Sequence, residues 1–201
     1  MTNEINLVMD SAQKIYRNCC RILLAADLLM EERGFDKYGW YDVYDFDPSR
    51  DTKVRRYVST LEDADSLLTG NLFRQYHAHG QGDLQMSPID IVTVCTAPFR
   101  RIKGQNLIPI CCVTRFTAVG SPDEVYLLGT LPVWDPSNNA DGSVQEFDSN
   151  SQLWKTYSAT YARLVAPNSK IKATSIPLEE VTTDDVLSLR LFSPFFEALK
   201  P

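Results

Sequence analysis

The sequence predicts an α+β fold, in which a long N-terminal helix packs on an antiparallel β-sheet and additional helices follow near the C-terminus. Apolar residues recur at helical spacing over the first thirty residues. Three runs rich in apolar and branched residues then follow at 89–97, 107–118 and 125–134. Apolar residues again occur at helical spacing after residue 152. We therefore expect a single α+β domain spanning residues 1–201, which is long enough to form a core without disulfides or metals.

The predicted N-terminal helix has an apolar heptad pattern, which we call the heptad stripe. Its members form three columns at spacing seven: Ile5, Ala12, Cys19 and Ala26; Val8, Ile15, Ile22 and Leu29; and Met9, Tyr16, Leu23 and Met30. At about 100° per residue the second and third columns flank the first on one face of a helix. Such a helix is about 45 Å long, and Gly34 is a typical stop after it. The stripe packs on the same domain, on another subunit, or on both.

The three apolar runs predict an antiparallel meander over about residues 88–134, because their connections are short and of turn composition. Apolar residues occur at both parities in these runs, so we expect both faces of the sheet to be covered, one of them by the long helix. Residues 35–50 are predicted as an aromatic and acidic loop or short strand, and 54–70 as a helix whose first part, 54–60, could instead be a strand. The remaining segments are predicted as a helix at 153–165, polar loops at 77–87 and 135–151, a short strand at 171–176, and short helices at 186–192 and 194–199.

The composition indicates a cytoplasmic protein that does not contact membranes. A net charge of -6 argues against binding to nucleic acid or anionic lipid, since phosphate contacts need clustered cations. The five cysteines form no CxxC pair, which favours reduced thiols packed as small apolar groups. The N-terminus has no basic segment typical of a secretory signal, and the densest apolar stretch, 22–30, is too short for a membrane span.

Candidate metal ligands are few. His77 and His79 would point to the same side of an extended segment, and Asp83 could add a carboxylate. Two incidental histidines in a polar loop explain the same pattern without a metal. Residues 135–146 resemble a calcium loop in the spacing of their oxygen-bearing side chains, but Ala140 stands where such a loop needs glycine. We expect no cofactor, and no nucleophile or phosphate-binding motif is present in the sequence.

A basic cluster of Arg100, Arg101 and Lys103 lies between the first two β-like runs, where we expect an exposed hairpin tip. Such a tip could bind a phosphate, a nucleic acid or an acidic partner surface. The simpler interpretation is that the three charges only keep an exposed turn soluble.

The sequence leaves two classes of function open and makes an enzyme a distant third. The first is a non-catalytic interaction protein, an assembly subunit or adaptor, which forms a homo-oligomer or binds a protein partner through its long helix and exposed loops. The residues expected to take part are Ile5, Val8, Ala12, Ile15, Cys19 and Ile22 of the helix, with Arg100, Arg101 and Lys103 of the basic cluster. The second is a small-ligand sensor with a pocket between the sheet and the aromatic segment around Trp40. The third is a metal-dependent enzyme that uses His77 and His79.

Overall fold

The computed structural model describes residues 2–38, 72–78, 88–98, 100–102, 105–119, 140–150 and 165–200. The chain begins with helix α1, Thr2–Glu31. The helix ends at Gly34, whose φ of 79° is readily adopted only by glycine and whose N–H donates to Glu31 O at 3.0 Å. The predicted helix and its predicted stop are both confirmed.

The strands form one six-stranded sheet and a separate two-stranded ribbon. Their bounds are β1 Phe35–Tyr38, β2 Leu72–Ala78, β3 Ile89–Ala97, β4 Arg100–Ile102, β5 Gln105–Leu107, β6 Ile110–Ala118, β7 Gln145–Asp148 and β8 Lys170–Pro177. The order in the large sheet is β1-β2-β3-β6-β8-β7, and every neighbouring pair is antiparallel. The predicted α+β class with an antiparallel sheet is therefore confirmed.

The sheet is wider than the sequence predicts. Strands β3 and β6 match the first two apolar runs and pair from Ile89↔Ala118 to Ala97↔Ile110, whereas the third run lies outside the described residues. The predicted strand at 171–176 is β8. The loop predicted from residue 77 onward is wrong at its start, because His77 lies in β2. The loop predicted at 135–151 is wrong at 145–148, where β7 pairs with β8.

One face of the sheet, the helix face, packs against α1 and the C-terminal segment. It presents alternate residues of the central strands, among them Tyr76, Val92, Val94, Val113 and Ile176. These residues share a hydrophobic cluster with the following helical residues: Cys19, Ile22, Leu23, Ala26, Met30, Leu187, Leu191, Phe192 and Phe195. Burying a large aliphatic or aromatic side chain contributes about 1.5–3 kcal/mol, so this cluster fixes α1 on the sheet.

The opposite face, which we call the far face, is also buried. Its residues form two clusters, one around Ile91, Phe116 and Ile171 and the other around Cys95 and Cys112. The expectation that both faces of the sheet are covered is therefore confirmed.

The chain after β8 consists of short helical turns. They are a 3₁₀ turn Leu178–Glu180, helix α2 Asp184–Leu187, a π-helical turn Ser188–Phe192 and helix α3 Ser193–Glu197. Thr183 caps α2, since its Oγ1 accepts from Val186 N at 3.3 Å. The short helices predicted near the C-terminus are confirmed. Within the described part of the chain, no helix combines the length and apolar character needed to cross a bilayer.

Candidate functional site

The heptad stripe divides into a buried part and an exposed part. Cys19 and Ile22 lie fully inside the core, so their side chains pack within the chain. Ile15 is partly buried at the margin of the same cluster, and Ala12 is half-buried. Ile5 and Val8 belong to α1, but their side chains lie outside the described set. Contacts between the stripe and the domain therefore start at Ile15 in the described part of the chain.

Before Ile15, the described side chains of α1 are exposed except for the half-buried Ala12. Leu7 has 69% of its surface accessible. The other exposed residues before Ile15 are Asn6, Asp10, Ser11, Gln13 and Lys14. This half of the helix therefore presents a large apolar side chain and charges of both signs to solvent.

The second half of α1 forms one wall of a cleft. The cleft has a volume of about 520 Å³ and lies between α1 and β1. Its lining consists of Leu24, Asp27, Leu28, Glu31, Phe35, Asp36, Lys37 and Tyr76. Leu24 and Leu28 are 44% and 63% exposed, which leaves the mouth of the cleft open to solvent. Its size is in the range of small-molecule sites, about 300–1,000 Å³.

Asp27 is the centre of an ion cluster at the base of this cleft. Its Oδ1 accepts a hydrogen bond from Tyr76 Oη at 2.8 Å and lies 3.6 Å from Arg74 Nε. Its Oδ2 lies 2.9 Å from Lys37 Nζ. The side chains of Asp27 and Arg74 are only 10% and 7% exposed, whereas that of Lys37 is 52% exposed. One buried carboxylate thus connects α1 to β1 and β2.

The same cluster keeps Tyr76 protonated. Burial, the nearby Asp27 charge and the hydrogen bond that the phenol donates to Asp27 all raise the pKa of Tyr76 above its ordinary value of 10.0. Ionising this phenol would place a second negative charge beside a buried carboxylate. At neutral pH Tyr76 therefore acts as a hydrogen-bond donor.

Sequence reasoning missed this cluster. Asp27 interrupts the densest apolar stretch of the helix, which marks it as unusual, but its partners are about ten and nearly fifty residues away. Lys37 and Tyr76 come together only because β1 pairs with β2 at Lys37↔Tyr76. The single carboxylate within an apolar helical stretch was the one available sign.

The far face contains a buried polar pair. Thr93 and Thr114 are directly opposite each other in the register of β3 and β6. Both are fully buried, and neither hydroxyl has a hydrogen-bond partner among the described residues. Buried hydroxyls are normally hydrogen-bonded, so this pair offers two polar contacts to a group on the far face. Trp40, which the sequence placed beside a pocket on this face, lies outside the described residues.

The predicted metal ligands are not brought together in the part of the chain that the structure describes. His77 is buried on β2, its Nδ1 lies 3.1 Å from Ala78 O, and its ring meets Tyr38 edge-on at 6.0 Å between centroids. His79 and Asp83 lie outside the described residues. Among those described, no three His, Cys, Asp or Glu side chains are grouped so as to hold a metal ion.

The calcium-like pattern is described only from Ala140 onward. Asp141 Oδ1 accepts from Ser143 N at 2.8 Å. Hydrogen bonding from the Ser143 side chain, and then from its backbone N–H, lowers the pKa of the Asp141 carboxyl. Glu146, the last predicted ligand, lies on β7 with its Oε1 3.5 Å from Lys170 Nζ. The described carboxylates of this pattern therefore have local structural partners.

The basic cluster lies on the predicted hairpin. Arg100 and Arg101 belong to β4, which pairs with β5 from Arg100↔Leu107 to Ile102↔Gln105. This ribbon extends the β3–β6 pair beyond Ala97 and Ile110. The arginine side chains and the whole of Lys103 lie outside the described set, so an interaction role for them stays a prediction.

The five cysteines are free thiols, and four of them are buried. Burial raises the pKa of Cys19, Cys95 and Cys111. A nucleophilic cysteine needs a lowered pKa, so these three thiols are structural.

Comparison with known proteins finds no matching family model, no matching curated protein and no matching solved structure.

Proposed function

We propose that this chain is a non-catalytic assembly subunit that associates with a second copy of itself through residues 2–15 of α1. The observation that supports this proposal is the uneven burial of α1. Its contacts with the described part of the domain begin at Ile15, yet the helix starts at Thr2. About thirteen residues, or roughly 20 Å of helix at 1.5 Å per residue, therefore extend past those contacts.

A helical extension without contacts to the described part of the domain is weakly stable by itself. Isolated helices shorter than about 12–15 residues are marginal in water, and most helix stability in proteins comes from packing of the apolar face. The extension contains the exposed Leu7 and the half-buried Ala12, and the heptad stripe continues through it in sequence at Ile5 and Val8. A second helix covering this face would stabilise the extension and bury its apolar side chains.

A twofold pair of identical helices can cross at Ala12, because the heptad stripe is the apolar face of the extension. Asp10 and Lys14 lie about 160° around the helix from Ala12 and stay in solvent. The small side chain of Ala12 at the crossing point permits close approach of the two helices.

In a pair that crosses at Ala12, residues 9–15 of the two copies face one another over about two helical turns, because Cys19 and Ile22 farther along the stripe are buried in the domain. This contact is small, so the expected association is weak. Small interfaces are typical of transient complexes, and we expect a dissociation constant between about 1 μM and 1 mM, equivalent to about −8 to −4 kcal/mol. A heterologous protein partner would use the same face, and such a partner is the alternative if the purified chain stays monomeric.

A charge placed on the stripe tests this geometry. Ala12→Glu puts a carboxylate at the crossing point and should abolish the concentration-dependent association measured by sedimentation equilibrium. Asp10→Lys and Lys14→Asp change charges on the solvent side of the same helix and should leave the dissociation constant within about twofold of the parental value. Association of Ala12→Glu with the parental dissociation constant would contradict the proposed contact.

A further inference from the structure

We infer that the cleft between α1 and β1 binds a small organic cation, an amine attached to an apolar body. This inference is independent of self-association, because the cleft lies beside the second half of α1 and the proposed dimer uses the first half. The cleft lies on the helix face of the sheet, whereas the pocket predicted beside Trp40 belongs to the far face.

The apolar part of the cleft is positioned for a flat or chain-like body. Leu24 and Leu28 are one helical turn apart on α1, and Phe35 faces them from β1. The Phe35 ring packs against Phe196 with 5.6 Å between ring centroids, which holds it in place. These three side chains leave apolar surface open to solvent, and covering it is favourable at about 25 cal/mol per Å².

The charge of the cleft selects a cation. Its lining contains three carboxylates, from Asp27, Glu31 and Asp36, and one ammonium group, from Lys37. Asp27 is already compensated by Lys37 and by the buried Arg74. The Glu31 carboxylate has no ion-pair partner within the described part of the chain. It also lies in the last turn of α1, where the helix dipole adds negative potential.

The structure therefore assigns the ammonium group of the ligand to Glu31 and the apolar body to Leu24, Leu28 and Phe35. Tyr76 and Asp27 close the base of the cleft and are engaged with each other. An anion of the same shape would meet the Glu31 carboxylate and should be rejected.

Three probes of similar shape and different charge test this assignment: phenethylamine, phenethyl alcohol and phenylacetate. We expect phenethylamine to bind with a dissociation constant of about 1 mM, the affinity usual for a ligand of this size. Phenethyl alcohol should bind several-fold more weakly, and phenylacetate should not bind measurably. Chemical-shift titration of isotope-labelled protein measures all three, and the shifted amides should cluster at residues 24–37.

Matched variants locate the contact. Glu31→Gln should weaken phenethylamine binding about two- to fivefold, as expected for an exposed ion pair, and should leave phenethyl alcohol unchanged. Glu32→Gln changes a neighbouring exposed carboxylate outside the lining and should have no effect. Leu28→Asn should weaken both ligands, whereas Leu189→Asn, at an equally exposed leucine outside the lining, should weaken neither.

Two results would overturn the inference. One is equal binding of phenethylamine and phenylacetate, and the other is phenethylamine binding that Glu31→Gln and Leu28→Asn leave unchanged. Neither result depends on the oligomeric state, because Ala12→Glu, which should keep the protein monomeric, should leave phenethylamine affinity unchanged.

Discussion

Replacing Asp27 by Asn tests whether the ion cluster under the cleft stabilises the fold. The substitution retains the size of the side chain and an oxygen that can accept from Tyr76. It removes the negative charge that faces Lys37 Nζ at 2.9 Å and Arg74 Nε at 3.6 Å. Arg74 is buried in β2 and would lose this counter-charge, while the more exposed Lys37 could turn into solvent.

The expected cost follows from the burial of each partner. Removing one member of a buried ion pair typically costs 3–5 kcal/mol, because the remaining charge is left in a poorly solvated place. Asp27 lies at the edge of the cleft, so we expect the lower limit, about 3 kcal/mol. Tyr76→Phe removes one hydrogen bond to a charged group and should cost about 2 kcal/mol. Lys37→Met removes a half-exposed partner and should cost less than about 1 kcal/mol.

Urea unfolding followed by circular dichroism measures these differences. With a denaturant slope near 2 kcal/mol/M, Asp27→Asn should lower the unfolding midpoint by about 1.5 M. Asp10→Asn provides the matched control at an exposed position of the same helix and should change stability by less than about 0.5 kcal/mol. All variants are compared at low protein concentration, so that association does not contribute to the unfolding free energy.

The order of the three losses is the informative result. The reasoning predicts that Asp27→Asn costs most, Tyr76→Phe less and Lys37→Met least. If Asp27→Asn cost no more than Asp10→Asn, the cluster would not hold α1 on the sheet. If Lys37→Met cost as much as Asp27→Asn, the exposed lysine rather than the buried arginine would be the important partner.

Two further predictions concern titration and thiol reactivity. Since the pKa of Tyr76 is raised in the folded state, its contribution to stability is complete below about pH 10 and is lost above it, by about 1.4 kcal/mol per pH unit. The difference in unfolding free energy between the parent and Tyr76→Phe, measured by urea unfolding from pH 9 to 11, should therefore shrink as the pH rises. A constant difference would contradict the raised pKa. Among the thiols, only Cys20 is partly exposed, so Ellman's reagent should modify one thiol in the native protein and five in denaturant. Cys20→Ser should abolish the native reaction, and rapid modification of a second thiol would show that the sheet opens readily.

The elements that sequence reasoning predicted are those with dense and regular apolar patterns. Helix α1 has a heptad pattern over its full length, and β3 and β6 are runs rich in apolar and branched residues. Strands β2 and β7 were missed for a physical reason. Strand β2 contains Arg74, Gln75 and His77, polar side chains that become buried only because neighbouring strands and α1 pack around them. Strand β7 alternates half-buried and exposed residues at the sheet edge, and its acidic residues pair with lysines of β8.

The candidate sites also differ in how far the sequence alone could predict them. The division of the heptad stripe could be foreseen in part, since the apolar arc widens in the second half of α1 where Leu24 and Leu28 join it. Those two leucines are nevertheless exposed and line the cleft rather than the core. The Asp27 cluster depends on the β1–β2 register and on how α1 lies across it, and neither can be derived from spacing within one segment. Cys19 shows the same limit, because its position in the stripe does not distinguish a core contact from a contact between subunits.

The mass of the protein in solution as a function of concentration tests the central claim most directly. Multi-angle light scattering of the parent should give a mass that rises from the monomer value of 22.7 kDa toward twice that value as concentration increases. Ala12→Glu, which places a charge at the proposed crossing point without disfavouring the helix, should stay monomeric, whereas Gln13→Glu, one residue away on the exposed side, should associate like the parent. If both folded variants and the parent have the same mass at every concentration, the first half of α1 does not mediate self-association.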